Sequence, residues 1–355
     1  MKRRRLLLLI PLLLFLAILV ASLYGRRSRE YASDQFLMDT LISIKVYGRD
    51  PKVLKSAVSA AYAEMHRIAE LVDGFPQPGT AAYNSSDVCR INRQAGLQPV
   101  RVDPDVIAML LLAKKYNELS DGAFDVTVGP LMDLWGFGGD SPHIPPPEQI
   151  RSALALIGSR DLLLDSRQQT AFLRRRGMKL DLGAIAKGYA TEKALQTLKK
   201  YGIRKALIDA GGNIRVLGRN QHDTSWSIGI RDPRKPDGIV AILPLEDAAA
   251  VTSGDYYRYF EAGGVRYHHI LDPRSGYPAT GNMTVTAIAA DAGLADVFST
   301  LFFVLPPHKA MEAAARLGGV DIFLVTANRR ILHTPSLKGR IEILSGGGYH
   351  YEQGR

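Results

Sequence analysis

Residues 205–218 read KALIDAGGNIRVLG. Two short apolar runs flank Gly211, Gly212 and Asn213. Each run is rich in β-branched or aliphatic residues and too short for a helix, so the stretch reads as strands joined by a glycine turn. The pattern repeats in WSIGIRD (226–232), GIVAILPL (238–245), AAAVTSG (248–254), YRYFEAGGVRYHHILDP (257–273) and MTVTAIAA (283–290). Upstream, FLMDTLISIKVYG (36–48) alternates and reads as one strand, and DLLLD and TAFLRRR as two short ones. Helical spacing predicts helices over 51–72, 103–120, 147–157, 291–304 and 308–317. A strand, a break and a helix are predicted within 178–202. Strands and helices without strict alternation argue an α+β fold with a mostly antiparallel sheet flanked by helices.

Composition narrows the function. Hydrophobic residues make up 46% and charged residues 23%, the balance of a globular protein. The net charge of +10 suggests a polyanion partner. Seven of the basic side chains lie in residues 1–29, which hold no acid, and without them the body is nearly neutral. No nucleic-acid partner is expected. The lone Cys89 can form no internal disulfide or cysteine metal cluster and is expected to be a buried apolar side chain.

The basicity belongs to the N-terminus. MKRRR (1–5) precedes an uncharged run from Leu6 to Leu23, which as a helix would span roughly 27 Å, one hydrocarbon core. Residues 1–5 are read as a cytoplasmic basic tip, 6–24 as a membrane anchor and 25–34 as a linker, which sends the remainder outward. A cleavable signal peptide is the competing reading of the same segment. Ser22 stands where a lipoprotein would carry its cysteine.

Several stretches carry possible chemistry. In AGLADVFSTLFFVL (292–305), Asp296 and Thr300 lie four residues apart, so a helix presents both on one face. They read either as hard oxygen ligands for a cation such as Mg²⁺ or as an acid near a helix N-terminus with a threonine bonded to its own helix. In KLDLGAIAKGYA (179–190), Asp181 ends an apolar strand and Gly183 permits a sharp turn. Ala184 is expected to open a helix, with Lys187 and Gly188 in its first turn. That is either a phosphate cradle or an ordinary strand–turn–helix junction. In RYHHILDPRSGYP (266–278), His268 and His269 point to opposite faces of a strand.

Read together, MDT (38–40), DGAFDVTVGPL (121–131), LDLGAIAKGYA (180–190), DAGGN (209–213), HILDPRSG (269–276) and ADVFST (295–300) resemble, in order and spacing, the ApbE family of FAD:protein FMN transferases. The similarity spans about 35–345, which implies a single large ApbE-like domain followed by a tail over 346–355. The resemblance implies Mg²⁺-dependent transfer of FMN from FAD to a Thr or Ser hydroxyl of a target protein, with release of AMP. It implies a metal site at Asp296, Thr300 and the backbone oxygen of Ala184. FAD contacts are implied at Met38, Tyr83, Ala123, Phe124, Asp125, Asp181, Lys187 and Ile270. MDT departs from the family's commoner Met-Gly-Thr. Catalytic roles fall to His269 as candidate base, with Asp181 and Lys187 beside it. The acceptor is expected to be a membrane redox subunit. The enzyme is expected at the bacterial inner membrane, its catalytic domain facing the periplasm or exterior. The alternatives are an FAD pyrophosphate hydrolase and a non-catalytic flavin-binding protein.

Overall fold

The computed structural model describes residues 28–74, 76, 79–137, 141–344 and 348–351. The expected membrane anchor lies outside the described residues. Among those described, no helix is long and apolar enough to cross a membrane.

A nine-stranded sheet organises the chain. We number its strands β1 (Arg29–Leu37), β2 (Thr40–Gly48), β3 (Lys205–Ala210), β4 (Asn213–Leu217), β5 (Ala249–Gly254), β6 (Asn282–Ala289), β7 (Val320–Thr326), β8 (Arg330–His333) and β9 (His350–Tyr351). Sheet order follows chain order throughout. Neighbours are antiparallel, except β9 beside β8. The α+β, mostly antiparallel reading therefore holds. The connection between β2 and β3 carries most of the helices, so the sheet is a meander interrupted by one long insertion.

Side-chain alternation separates two cores. On β7, Ile322 and Leu324 join the helical side, while Phe323 and Val325 join the opposite one. The helical layer holds α1 (Pro51–Val72), α2 (Ala186–Lys200), α3 (Ala292–Val304) and α4 (Pro307–Leu317). Asp50 caps α1 by accepting from Lys52 N at 2.8 Å, and Leu54, Ala57, Val58, Ala61, Met65 and Ile68 form its buried stripe. Asp291 caps α3 the same way, accepting from Leu294 N at 2.9 Å. A small sheet of Trp226–Arg231, Ile239–Leu245 and Glu342–Ile343 covers the other face. A third cluster, around Trp135, Phe137 and Leu271, supports the loops beside the site.

Three boundaries differ from expectation. Residues 36–48 are two strands, because Met38 (φ 53°) and Asp39 (φ 59°) form a left-handed turn between Leu37 and Thr40. Neither residue is glycine, so periodicity ran straight through a turn that usually shows as Asn-Gly or Asp-Gly. Residues 29–34, read as linker, belong to β1 and pair with β2 along their length. Within the expected tail 346–355, His350 and Tyr351 extend the sheet beside Arg330 and Ile331.

Candidate active site

The glycine at position 188 brings α2 and α3 together. A Cβ there would lie 2.2 Å from Ala292 O and 2.6 Å from Asp296 Cβ. The close approach lets Gly188 N donate to Asp296 Oδ2 at 2.8 Å. The carboxylate thus satisfies one of the first-turn N–H groups that α2 cannot satisfy itself. The helix opens at Ala186, two residues later than the sequence suggested; Ala184 lies in the preceding turn. Lys187 and Gly188 do occupy the first turn.

Asp296 is 5% exposed, so its carboxylate is aimed inward. One turn on, Thr300 Oγ1 is 3.4 Å from Ser253 Oγ of β5, and Ser253 Oγ is 2.9 Å from Ser299 Oγ. Thr300 therefore faces β5 across the helix–sheet boundary. Burial raises the Asp296 carboxyl above its ordinary range, with Lys187 and the Gly188 N–H pulling the other way.

These groups border a cavity of about 270 Å³. Asp181 and Ala184 line it from the turn before α2, and Lys187 from the first turn of α2 itself. Asp181 Oδ1 accepts from Gly183 N at 2.7 Å, which holds the turn, and burial raises its carboxyl too. Ala123, Phe124 and Asp125 form another wall. The Asp125 carboxylate is engaged in structure: it accepts from Thr127 N and Oγ1, Asn117 Nδ2 and Ser159 N. Val126 O accepts from Asp181 N at 2.8 Å and ties this wall to the α2 turn. Met38 reaches the cavity from the β1–β2 turn, where Asp39 pairs with Arg258 at 3.3 Å.

The two histidines part at the end of a strand: Val265–His268 is extended, and His269, expected inside the strand, lies in the bend that follows, so the strand ends one residue sooner than the sequence suggested. His268 is buried in the core; its Nε2 lies 2.9 Å from Ala279 O and its ring meets Phe303 edge-on. His269 and Ile270 line the cavity. The His269 Nδ1 lies 3.2 Å from Arg258 O. Burial, then the Arg258 charge, pull its imidazole down to about 3, so it is neutral across the physiological range.

Of the predicted residues, Met38, Ala123, Phe124, Asp125, Asp181, Ala184, Lys187, His269, Ile270, Asp296 and Thr300 converge on this one cavity. Tyr83 does not. It lies under the Arg93 guanidinium, 4.5 Å from ring centroid to Cζ, and lines a separate cavity with Cys89 and Asn92. The segment before Tyr83 is rich in proline and glycine, so motif spacing across it gives no anchor. Asn213, Ser253 and Arg258 line the main cavity without having been singled out. Their signal was faint, a polar residue facing the wrong way inside a strand or next to one.

The formal charge of this wall is unusual. Asp39, Asp125, Asp181 and Asp296 oppose only Lys187 and Arg258. Among the described residues no three His, Cys, Asp or Glu side chains converge as a metal cluster. The oxygens one helical turn on from Asp296 are instead the hydroxyls of Ser299, Thr300 and Ser253.

A family model described as the ApbE family matches residues 38–324. The chain is 34% identical over 322 residues to the FAD:protein FMN transferase of Klebsiella pneumoniae, covering 90% of this chain and 96% of that protein. It is 33% identical over 344 residues to the Treponema pallidum protein of the same name, covering 92% of each. Among solved structures, the ApbE protein of Thermotoga maritima superposes with a TM-score of 0.80 at 34% identity, covering 88% of this chain and 99% of that one. The flavin transferase ApbE from Vibrio cholerae gives 0.76 at 26% identity, covering 88% and 99%. Sequence and architecture agree over nearly the whole described chain, which belongs to the ApbE family.

Proposed function

We propose that this protein is an FAD:protein FMN transferase that works with a divalent cation, Mg²⁺ being the natural candidate. The observation that carries the proposal is the convergence of Asp296, Thr300, Ala184, Lys187 and His269 on one cavity. The relatives' names supply the reaction.

Charge supports the cation. Four carboxylates against two cationic side chains make a cavity hostile to a pyrophosphate. A dinucleotide entering it needs further positive charge. One carboxylate with hydroxyl and carbonyl oxygens is the donor set of a hard cation that keeps waters and phosphate oxygens as its other ligands. Asp296, Thr300 and the Ala184 carbonyl would hold it. When bound, Mg²⁺ would neutralise charge on the pyrophosphate and ease the departure of AMP.

The chain's own residues do the rest. Lys187 supplies a fixed positive charge at the start of α2, where the helix dipole adds to it. Phosphoryl transfer depends mainly on such positioning and charge stabilisation. The acceptor hydroxyl oxygen forms a bond to the FMN phosphorus as the bridging P–O bond to AMP breaks. His269 takes the hydroxyl proton. Its imidazole is already neutral, held low first by burial and then by Arg258, and phosphate charge beside Arg258 and Lys187 offsets the second of these causes.

The N-terminal sequence supports an anchored enzyme. A basic tip at 1–5 and an apolar run at 6–24 support a catalytic domain outside the cytoplasmic membrane, where membrane redox subunits would be its acceptors. Incubation of the protein with FAD, Mg²⁺ and a Thr-bearing acceptor subunit tests the proposal. The acceptor should gain the mass of one FMN, with AMP released in equal amount. Free FMN with an unmodified acceptor would instead mark a hydrolase, and intact FAD a binding protein.

A further inference from the structure

Asn213 opens β4 immediately after Gly211 and Gly212, whose φ values of 65° and 90° lie in the left-handed region that glycine enters most readily. The turn delivers Asn213 to the cavity wall. Its side chain is 1% exposed, yet neither Nδ2 nor Oδ1 has a hydrogen-bond partner. The other buried carboxamide near the site, Asn282, leaves only its Oδ1 unpaired, because its Nδ2 donates to three carbonyls at the end of α3. An amide with both ends unpaired costs about 1–3 kcal/mol per group, so such a residue in a cavity wall asks for a ligand.

The sheet register fixes where that ligand sits. Asn213 pairs with Val251, and Ser253 lies two residues further along β5 on the same face. Ser253 is the residue that meets Ser299 and Thr300. One strand spacing and one two-residue step separate the carboxamide from those hydroxyls, on the order of 8 Å. The bound group is therefore neighbour to, and distinct from, whatever sits between Asp296 and Thr300.

We propose that Asn213 recognises a ring edge presenting a hydrogen-bond donor beside an acceptor, the chemistry shared by the flavin imide and the adenine amidine. A phosphate offers acceptors only and would leave Oδ1 unpaired. A ring edge with parallel donor and acceptor uses both ends of the planar carboxamide at once. The inference rests on the transferase reading, since FAD carries both rings.

Equilibrium binding of riboflavin, FMN and ADP to the full protein with Mg²⁺ tests it, for wild type, Asn213→Ala and the isosteric Asn213→Asp. Asp keeps the shape and removes the donor. Thermal melting checks that each variant folds. Both variants should lose about tenfold or more in affinity for one ring class, with the other class bound as by wild type. Loss for riboflavin and FMN identifies the flavin edge; loss for ADP identifies the adenine edge. Equal affinity for all three ligands, or equal weakening of all three, overturns the proposal. A wild type that binds none of them overturns the transferase reading itself.

Discussion

At the scale of the residue, Asp296 shows why a site costs stability. Its carboxyl is held above the ordinary range chiefly by burial. The folded state therefore keeps that proton more tightly than the unfolded chain does. The stability so gained is complete below the unfolded value near 3.8 and is lost as pH rises through the higher folded value. When ionised, the buried group is a liability that the proposed cation would relieve. Without metal, Asp296→Asn should melt about 2–5 °C higher than wild type at pH 7.5, and the gap should close as pH falls below 4. The Asn oxygen can still accept from Gly188 N. Added Mg²⁺ should raise the melting temperature of wild type and leave the variant unmoved. A variant that melts lower than wild type at pH 7.5 would show the carboxylate to be structural. The sequence alone left Asp296 and Thr300 divided between a ligand pair and a helix-end acid. Spacing says that two side chains share a face, never what that face meets. Here it meets Ser253 and the first turn of another helix.

At the scale of the element, the crossing of α2 and α3 is the part that periodicity could not reveal. Helical spacing found both helices, and GAIAKGYA placed Lys187 and Gly188 in a first turn. Nothing local says that Gly188 is there for another helix. Its missing side chain makes room for Ala292 and Asp296, and its N–H holds the carboxylate. Gly188→Ala inserts a methyl against backbone oxygen, which cannot rotate away. Overpacking of this kind costs about 1–3 kcal/mol. The more telling effect is on the site: the helices must part, and Asp296 moves with α3. The variant should fold, melt several degrees lower, and lose transfer activity by two orders of magnitude or more, because positioning carries most of the catalysis. Measured kcat near the wild-type value would mean that the contact serves packing alone. The β1–β2 turn teaches the same lesson. Met38 and Asp39 sit at positive φ without the glycine that would have announced it, so an alternating run concealed a hairpin whose tip lines the cavity.

At the scale of the whole molecule, the antiparallel sheet was legible because its inner strands are short apolar runs, buried on both faces, set between turn residues such as Gly211, Gly212 and Gly218. Its edges were not, since edge strands bury little and carry a weak pattern. Residues 29–34 look like a polar spacer, yet β1 contributes nine residues in register with β2. It is also pinned by side chains: Tyr62 Oη donates to Ser33 O at 2.6 Å, and Tyr47 Oη donates to Glu30 Oε2 at 2.6 Å. The catalytic body therefore begins at the first residues after the apolar run, with little chain to spare. Two truncations separate the apolar run from the fold. A protein starting at residue 28 keeps all of β1 and should be monodisperse in solution, melt cooperatively and transfer flavin at the rate of the full-length enzyme in detergent. A protein starting at residue 36 loses the Tyr47 and Tyr62 partners and exposes β2 as a new edge. It should melt well below the longer fragment or aggregate, since an unpaired apolar edge invites association. Equal melting temperatures for the two fragments would return residues 29–34 to the role of a tether and move the boundary of the catalytic body to β2.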